Sequence, residues 1–167
     1  MGKTLALVIV GFSVLGGCSA PPAAAPISKA APHTHDASDH NHDRGQMMIA
    51  SDGFIEALLT AHLSSKTGNE LDVFVEKAGA PLALTTTELR AIADAPDGRK
   101  ELAFECAPRE ERPEGEREGT CSHFVARAPW VRPGEPIRVA TTLPLRRGDI
   151  EYVWRGFEAM RYAHHVE

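Results

Sequence analysis

Histidine is the residue type with the clearest chemical signature in this chain, which has eight histidines among its 167 residues. Six of them form two groups: His33, His35, His40 and His42 in one, and the adjacent His164 and His165 in the other. Imidazole is the commonest biological ligand for zinc, copper and nickel, and carboxylate oxygens can complete a coordination shell. Both groups are therefore candidate metal ligands.

The first group has a spacing that suits chelation. One residue separates His33 from His35 and His40 from His42, and aspartates stand between the two pairs. In a flexible segment both rings of a pair can close on one ion, so these side chains satisfy a four-coordinate ion. Ordering the segment costs about 1–2 kcal/mol per residue, which predicts modest affinity and little discrimination among zinc, copper and nickel. The alternative is that the segment is only a solvated linker.

The remaining histidines give weaker indications. Because His164 and His165 are adjacent, their side chains on a strand are expected to point to opposite faces. A chain-end pair without a ligand role is the alternative for them. His62 and His123 stand alone on predicted strands, where we expect packed or surface residues rather than metal ligands.

Alternating polar and apolar residues predict the elements that hold these side chains. Leu71, Val73 and Val75 form one such run, and similar runs recur from Gln46 onward with Gly, Pro, Asp and Asn between them. A period of two over many short runs is typical of antiparallel sheet with one solvated face. We predict an all-β fold over residues 46–167, a single antiparallel β-sandwich of which the immunoglobulin-like form is one version, with an up-and-down barrel as the alternative. The segment 86–93 fits either a helical turn or a strand.

The first eighteen residues have the pattern of an export signal. One basic residue, Lys3, precedes the apolar run 5–15, which as a helix spans about 16 Å and falls short of the ~30 Å bilayer core. The run leads into Leu-Gly-Gly-Cys, ending at Cys18, which resembles the lipobox of bacterial lipoproteins. The resemblance implies that residues 1–17 are a signal peptide and that Cys18 carries covalent lipid such as palmitate. An ordinary secretory peptide with a chance cysteine is the alternative.

The same resemblance implies a location. Two or three acyl chains on one residue hold far more firmly than one, because each buried CH₂ adds about 0.8 kcal/mol. In this family an Asp after the lipidated cysteine often marks retention in the inner membrane. Ser19 stands there instead, so the resemblance implies a lipid-anchored protein of the cell envelope, on the outer membrane and facing the periplasm.

Residues 18–45 are expected to be a disordered tether. Four prolines in residues 19–32 favour an extended chain. The following stretch, 33–45, has no apolar side chain larger than Ala, so it cannot fold alone. The lipid anchor, an Ala/Pro spacer and a His/Asp-rich tract would then follow one another ahead of the β-domain.

Two cysteines remain for the folded part, Cys106 and Cys121. They flank a loop in which eight of the ten residues 109–118 are charged, so we expect a β-hairpin with a solvated tip. In an oxidising compartment an even pair of cysteines predicts a disulfide, which stabilises by about 3 kcal/mol in the chain-entropy model. A metal–thiolate pair is the alternative.

Several functions are disfavoured. The formal net charge of −5 argues against nucleic acid as a partner, since nucleic-acid binding needs a basic face. Gly-x-Ser-x-Gly, His-Glu-x-x-His and phosphate-binding glycine loops do not occur in the sequence, so we do not expect an enzyme.

The order of Cys18, the tract at residues 33–43 and a strand-rich remainder resembles small bacterial lipoproteins in which a His-rich tract leads into a compact β-domain. That resemblance implies handling of divalent metal in the envelope. The sequence therefore predicts a lipoprotein that captures or delivers zinc, copper or nickel. The alternative is a structural or interaction lipoprotein whose β-domain binds an envelope protein partner.

Overall fold

A computed structural model describes residues 44–167, in which the regular structure is β-strand apart from two short 3-10 turns at Arg44–Gln46 and Arg109–Glu111. The strands, in chain order, are β1 (Met48–Ser51), β2 (Glu56–Leu63), β3 (Glu70–Lys77), β4 (Ala80–Pro81), β5 (Glu88–Ala95), β6 (Gly98–Cys106), β7 (His123–Arg127), β8 (Pro136–Leu145), β9 (Gly148–Glu158) and β10 (Ala163–Val166). The all-β prediction is confirmed. The predicted signal peptide, the lipidation site and the tract histidines lie outside the described residues: 1–17, Cys18, His33, His35, His40 and His42.

All ten strands belong to one sheet. Their order is β1-β2-β3-β7-β6-β5-β8-β9, with β4 on β3 and β10 on β2, and every pairing is antiparallel except the parallel pairing of β10 with β2. The end strands β1 and β9 pack beside each other, so the sheet curls into a nearly closed, barrel-like shape. The predicted two-sheet, immunoglobulin-like sandwich is not confirmed, because the short β6–β7 ladder joins the two halves into one sheet.

The core fills the inside of this curled sheet. Leu59, Val73 and Phe124 lie side by side across β2, β3 and β7 and are fully buried. Phe104 on β6 and Trp154 on β9 complete the inner layer from the other half of the sheet. The inward residues are those that the alternating pattern predicts, since successive side chains on a strand point to opposite faces.

Side chains, rather than a hydrogen-bonded ladder, connect β9 to the start of β2. Trp154 donates from Nε1 to the carbonyl of Ala57 at 3.2 Å, and the hydroxyl of Tyr152 lies 3.4 Å from the carbonyl of Ile55. At the same end Arg147 pairs with Asp52. The closure therefore depends on a few buried aromatic residues and one ion pair.

Local features of the sequence explain most strand ends. Turn residues lie between strands, as at Asp52–Gly53 and Pro133–Gly134. The ambiguous segment 86–93 contributes most of β5 and is not helical. None of the helical turns in residues 44–167 is long and apolar enough to cross a membrane.

Cys106 and Cys121 form the predicted disulfide, with their Cα atoms 5.8 Å apart. The charged loop between them differs from the predicted solvated tip. Arg112 Nη1 donates to Glu116 Oε1 at 3.2 Å, and Ser122 Oγ donates to Glu116 Oε2 at 2.5 Å. The Glu116 side chain is only 3% exposed, so part of the loop packs back on the sheet.

The disulfide bears on the metal–thiolate alternative. Cys106, Glu116 and Cys121 have ligand atoms that all lie within 4.8 Å of one another. Both sulfurs are bonded to each other, whereas a metal ligand must be a thiolate. While the disulfide is intact, these cysteines cannot supply one.

Candidate functional site

The outer face of β2 and β3 carries polar side chains that are nevertheless buried. Thr60 stands directly opposite Asp72, and His62 stands opposite Glu70. All four are between 0% and 6% exposed. His123 on β7 lies on the same face and is also buried. Buried polar groups need partners and cost stability without them, so this layer is the part of the fold whose chemistry calls for a functional explanation.

Strand β10 brings the C-terminal histidines to this face. It runs parallel to β2 and places His165 beside His62, with an irregularity in the register between Ala163 and His165. A bulge of this kind re-aims the side chains around it. The expectation that the adjacent His164 and His165 face opposite ways is wrong for this reason, because both rings lie beside His62.

These three residues, His62, His164 and His165, form what we call the histidine cluster. Their ring centroids are 5.5 Å (His62–His165), 5.6 Å (His164–His165) and 6.1 Å (His62–His164) apart. Bonds of about 2 Å from zinc to nitrogen put three imidazoles of a tetrahedral site about 5 Å apart, centre to centre. The rings are therefore within about 1 Å of that spacing.

The hydroxyl of Thr60 contacts Nδ1 of His164 and two backbone carbonyls. Its hydroxyl donates to the carbonyl of Tyr162, has the carbonyl of Gln46 at 3.2 Å, and lies 3.3 Å from His164 Nδ1. A hydroxyl has one proton and a carbonyl only accepts. With that proton on the Tyr162 carbonyl, Oγ1 is an acceptor for His164 Nδ1, and the tautomer that makes this hydrogen bond has its lone pair on Nε2.

His164 is also held in the neutral form. Burial is the main cause that lowers the pKa of its imidazole from 6.5 to about 4. The Asp72 carboxylate opposes this shift, whereas the positive charges of His165 and His62 add to it. At pH 7 the ring is therefore neutral, which is the form that coordinates metals.

Asp72 places a negative charge beside the cluster. Burial alone would raise the pKa of its carboxyl, but a hydrogen bond from His123 and the positive charge of that ring hold the pKa below its ordinary value. Oδ1 of Asp72 lies 3.0 Å from His123 Nε2, while Oδ2 is buried with no hydrogen-bond partner. His123 is fixed in turn, since its Nδ1 donates to the carbonyl of Glu111 at 3.0 Å and its ring stacks on Phe74.

The chain enters the described part of the structure across this same face. Arg44 pairs with Glu56 and Glu76, which stand opposite each other on β2 and β3. Two residues later the carbonyl of Gln46 lies against Thr60. The first residues that the structure describes are therefore attached to the face that carries the buried polar side chains.

The chain has no match among protein-family models, curated proteins or solved structures. The interpretation of the site therefore depends on its own residues alone. Of the predicted candidates, the structure brings His164 and His165 together, and the four tract histidines lie outside the described residues. His62 and His123, which the sequence favoured as non-ligands, belong to the buried polar layer. The available signal was the alternation of Thr60 and His62 on β2, and of Glu70 and Asp72 on β3, with apolar residues.

Proposed function

We propose that this protein binds a divalent transition metal, zinc, copper or nickel, for capture or delivery in the bacterial cell envelope. The observation that carries the proposal is the histidine cluster, His62, His164 and His165, whose three rings lie 5.5 to 6.1 Å apart on a buried polar face. Imidazole nitrogens at this spacing suit borderline divalent ions.

The proposal gives the two histidine groups different tasks. The His-rich tract, with His33, His35, His40 and His42, offers many weak ligands and collects ions from solution. The cluster offers fewer ligands held by paired strands, so less ordering is needed on binding. Residues 44–46, which follow the tract in the chain, are attached to the same face as the cluster.

The setting belongs to the proposal as well. Lipid on Cys18, after removal of residues 1–17, would anchor the protein to the outer membrane on its periplasmic side. The Cys106–Cys121 disulfide suits that oxidising compartment. No catalytic role is part of the proposal.

Calorimetric titration of the mature chain, residues 18–167, with zinc and with copper tests the metal function. We expect the wild type to show a tighter and a weaker class of sites. The variant with His62, His164 and His165 all replaced by Asn should lose the tighter class, and the variant with the four tract histidines replaced should lose the weaker class. Glu167→Gln, an exposed change beside the cluster, is the matched control.

The alternative is a structural or interaction lipoprotein, for which the solvent-exposed Phe54 on the β1–β2 turn, 70% exposed, is the specific observation. If titration of the correctly folded wild type with micromolar metal gives no heat of binding, the metal function is contradicted and this alternative remains. If the wild type and both histidine variants bind the metal with equal affinity, the histidine cluster is not the tighter site.

A further inference from the structure

We propose that Thr60 and Glu70 are positioning residues that make His164 and His62 bind the metal ion through Nε2. The inference rests on the proposed function, because it assumes that the histidine cluster is a metal site. It concerns two side chains on the central strands β2 and β3 that do not themselves have to touch the ion.

The case for Thr60 comes from its hydrogen bonds. Its side chain is completely buried, and its single hydroxyl proton goes to a backbone carbonyl, that of Tyr162 or of Gln46. The oxygen is then an acceptor for His164 Nδ1, at 3.3 Å. This fixes the tautomer of His164 and leaves Nε2 on the opposite edge of the ring.

Glu70 occupies the equivalent position for His62. The two residues are directly opposite in the β2–β3 ladder, and Glu70 Oε2 lies 3.9 Å from His62 Nδ1. Arg127 Nε, 3.7 Å from Oε1, holds the other side of the carboxylate. The His62 contact is too long for a hydrogen bond, and a ring rotation that shortens it by about 1 Å makes one. Carboxylates that accept from one ring nitrogen orient histidine ligands and raise the basicity of the other nitrogen.

The contacts of Thr60 with His164 and of Glu70 with His62 connect the cluster to the outer face of β2 and β3. Both rings have Nδ1 towards residues of the paired strands, and the ring of His165 lies beside both, 5.5 Å from His62 and 5.6 Å from His164 between centroids. Three neutral nitrogen ligands suit Zn²⁺, Cu²⁺ or Ni²⁺ better than Cu⁺, which prefers sulfur, or Ca²⁺, which prefers oxygen. The buried Asp72 carboxylate supplies compensating negative charge nearby.

Nitrogen NMR of the ¹⁵N-labelled mature chain tests the inference without depending on metal affinity. In the metal-free protein at pH 7.5, long-range ¹H–¹⁵N spectra should show Nδ1 protonated and Nε2 unprotonated for His164 and His62. Adding zinc should shift the Nε2 resonances of both. Thr60→Val should abolish the preference at His164, and Glu70→Gln should weaken it at His62. Each should lower zinc affinity about 10- to 100-fold.

The controls separate positioning from folding. Thr60→Ser keeps the hydroxyl and should restore both the tautomer and the affinity. Glu76→Gln alters a carboxylate on the same face of β3 that pairs with Arg44, and should change neither. Nε2-protonated rings that still bind zinc would overturn the positioning roles while leaving the metal function intact. The expected tautomers with no response to zinc would overturn the metal function and, with it, this inference.

Discussion

At the scale of single residues, partial burial of the ionisable side chains in the site lowers the stability of their charged forms, and His164 shows this most clearly. In the folded chain the pKa of its ring is about 4, so the ring stays neutral down to about that pH. In the unfolded chain the same ring takes up a proton near pH 6.5. Between these two values the unfolded state binds more protons, so the free energy of unfolding falls as the pH is lowered.

We therefore predict that the metal-free protein loses stability between about pH 6.5 and pH 4. The His164 contribution is fully present above that window and amounts to at most about 3.5 kcal/mol, at about 1.4 kcal/mol per pKa unit. The lowered pKa of Asp72 acts in the same direction but only below its ordinary value of 3.8. Urea unfolding at pH 7.5, 5.5 and 4.5 measures the effect.

His164→Gln should flatten the dependence in this window, since glutamine does not titrate. Glu167→Gln should retain it. An equally steep loss of stability in His164→Gln would show that this ring is not the group responsible.

The sequence indicated which residue types could bind a metal ion, but not which of these residues lie close together in the fold. Histidines in pairs were visible in the sequence, and so the candidate ligands His164 and His165 could be named. The part played by His62 depends on a parallel strand that arrives from about a hundred residues away and on a bulge in it. Neither is encoded by local spacing, so residue patterns alone did not reveal it.

At the scale of elements, the β3–β4 hairpin contains an unusual residue. Ala78 and Gly79 form its two-residue turn, and both have positive φ, 52° and 76°. Such turns, of type I′, favour Asn and Gly, because a Cβ in the left-handed region costs roughly 1 kcal/mol.

We predict that Ala78→Asn raises the free energy of unfolding by about 0.5–1 kcal/mol, because Asn tolerates the left-handed region better than Ala. Chemical unfolding at pH 7.5 measures it. Ala83→Asn, at an exposed alanine that does not have positive φ, is the matched control and should have little effect. A decrease in stability for Ala78→Asn would refute the assignment of strain to this turn.

Strand positions themselves were predictable because period-two patterns and turn residues act locally. The segment 86–93 was ambiguous on its own. In the structure it pairs with β6 on one side and β8 on the other, and is therefore a strand. Tertiary pairing thus determines the conformation of a segment whose local propensity does not.

At the scale of the whole molecule, inward and outward faces could be read from the sequence, but the closure of the sheet could not. A sandwich and a curled single sheet bury the same alternate residues. The difference lies in the two-residue pairing of β6 with β7 and in the contacts of Tyr152 and Trp154, which join distant parts of the chain.

The proposed anchoring is also a property of the whole molecule. We predict that Cys18→Ser moves the protein from the membrane fraction to the soluble fraction, because the acyl chains provide the hydrophobic attachment. Fractionation of cells that produce each form measures it. Cys121→Ser removes the disulfide but should leave the protein with the membranes. Unchanged fractionation of Cys18→Ser would contradict lipid anchoring.

The parallel pairing of β10 with β2 has a consequence for the order of events during export. Thr60 and His164 are 104 residues apart in the chain, and a secreted polypeptide emerges amino end first. Residues 33–43 would reach the far side of the membrane well before β10 does. In the exported protein proposed above, the histidine cluster would form only after that last strand has crossed, so an ion bound there would come from the compartment in which the protein resides.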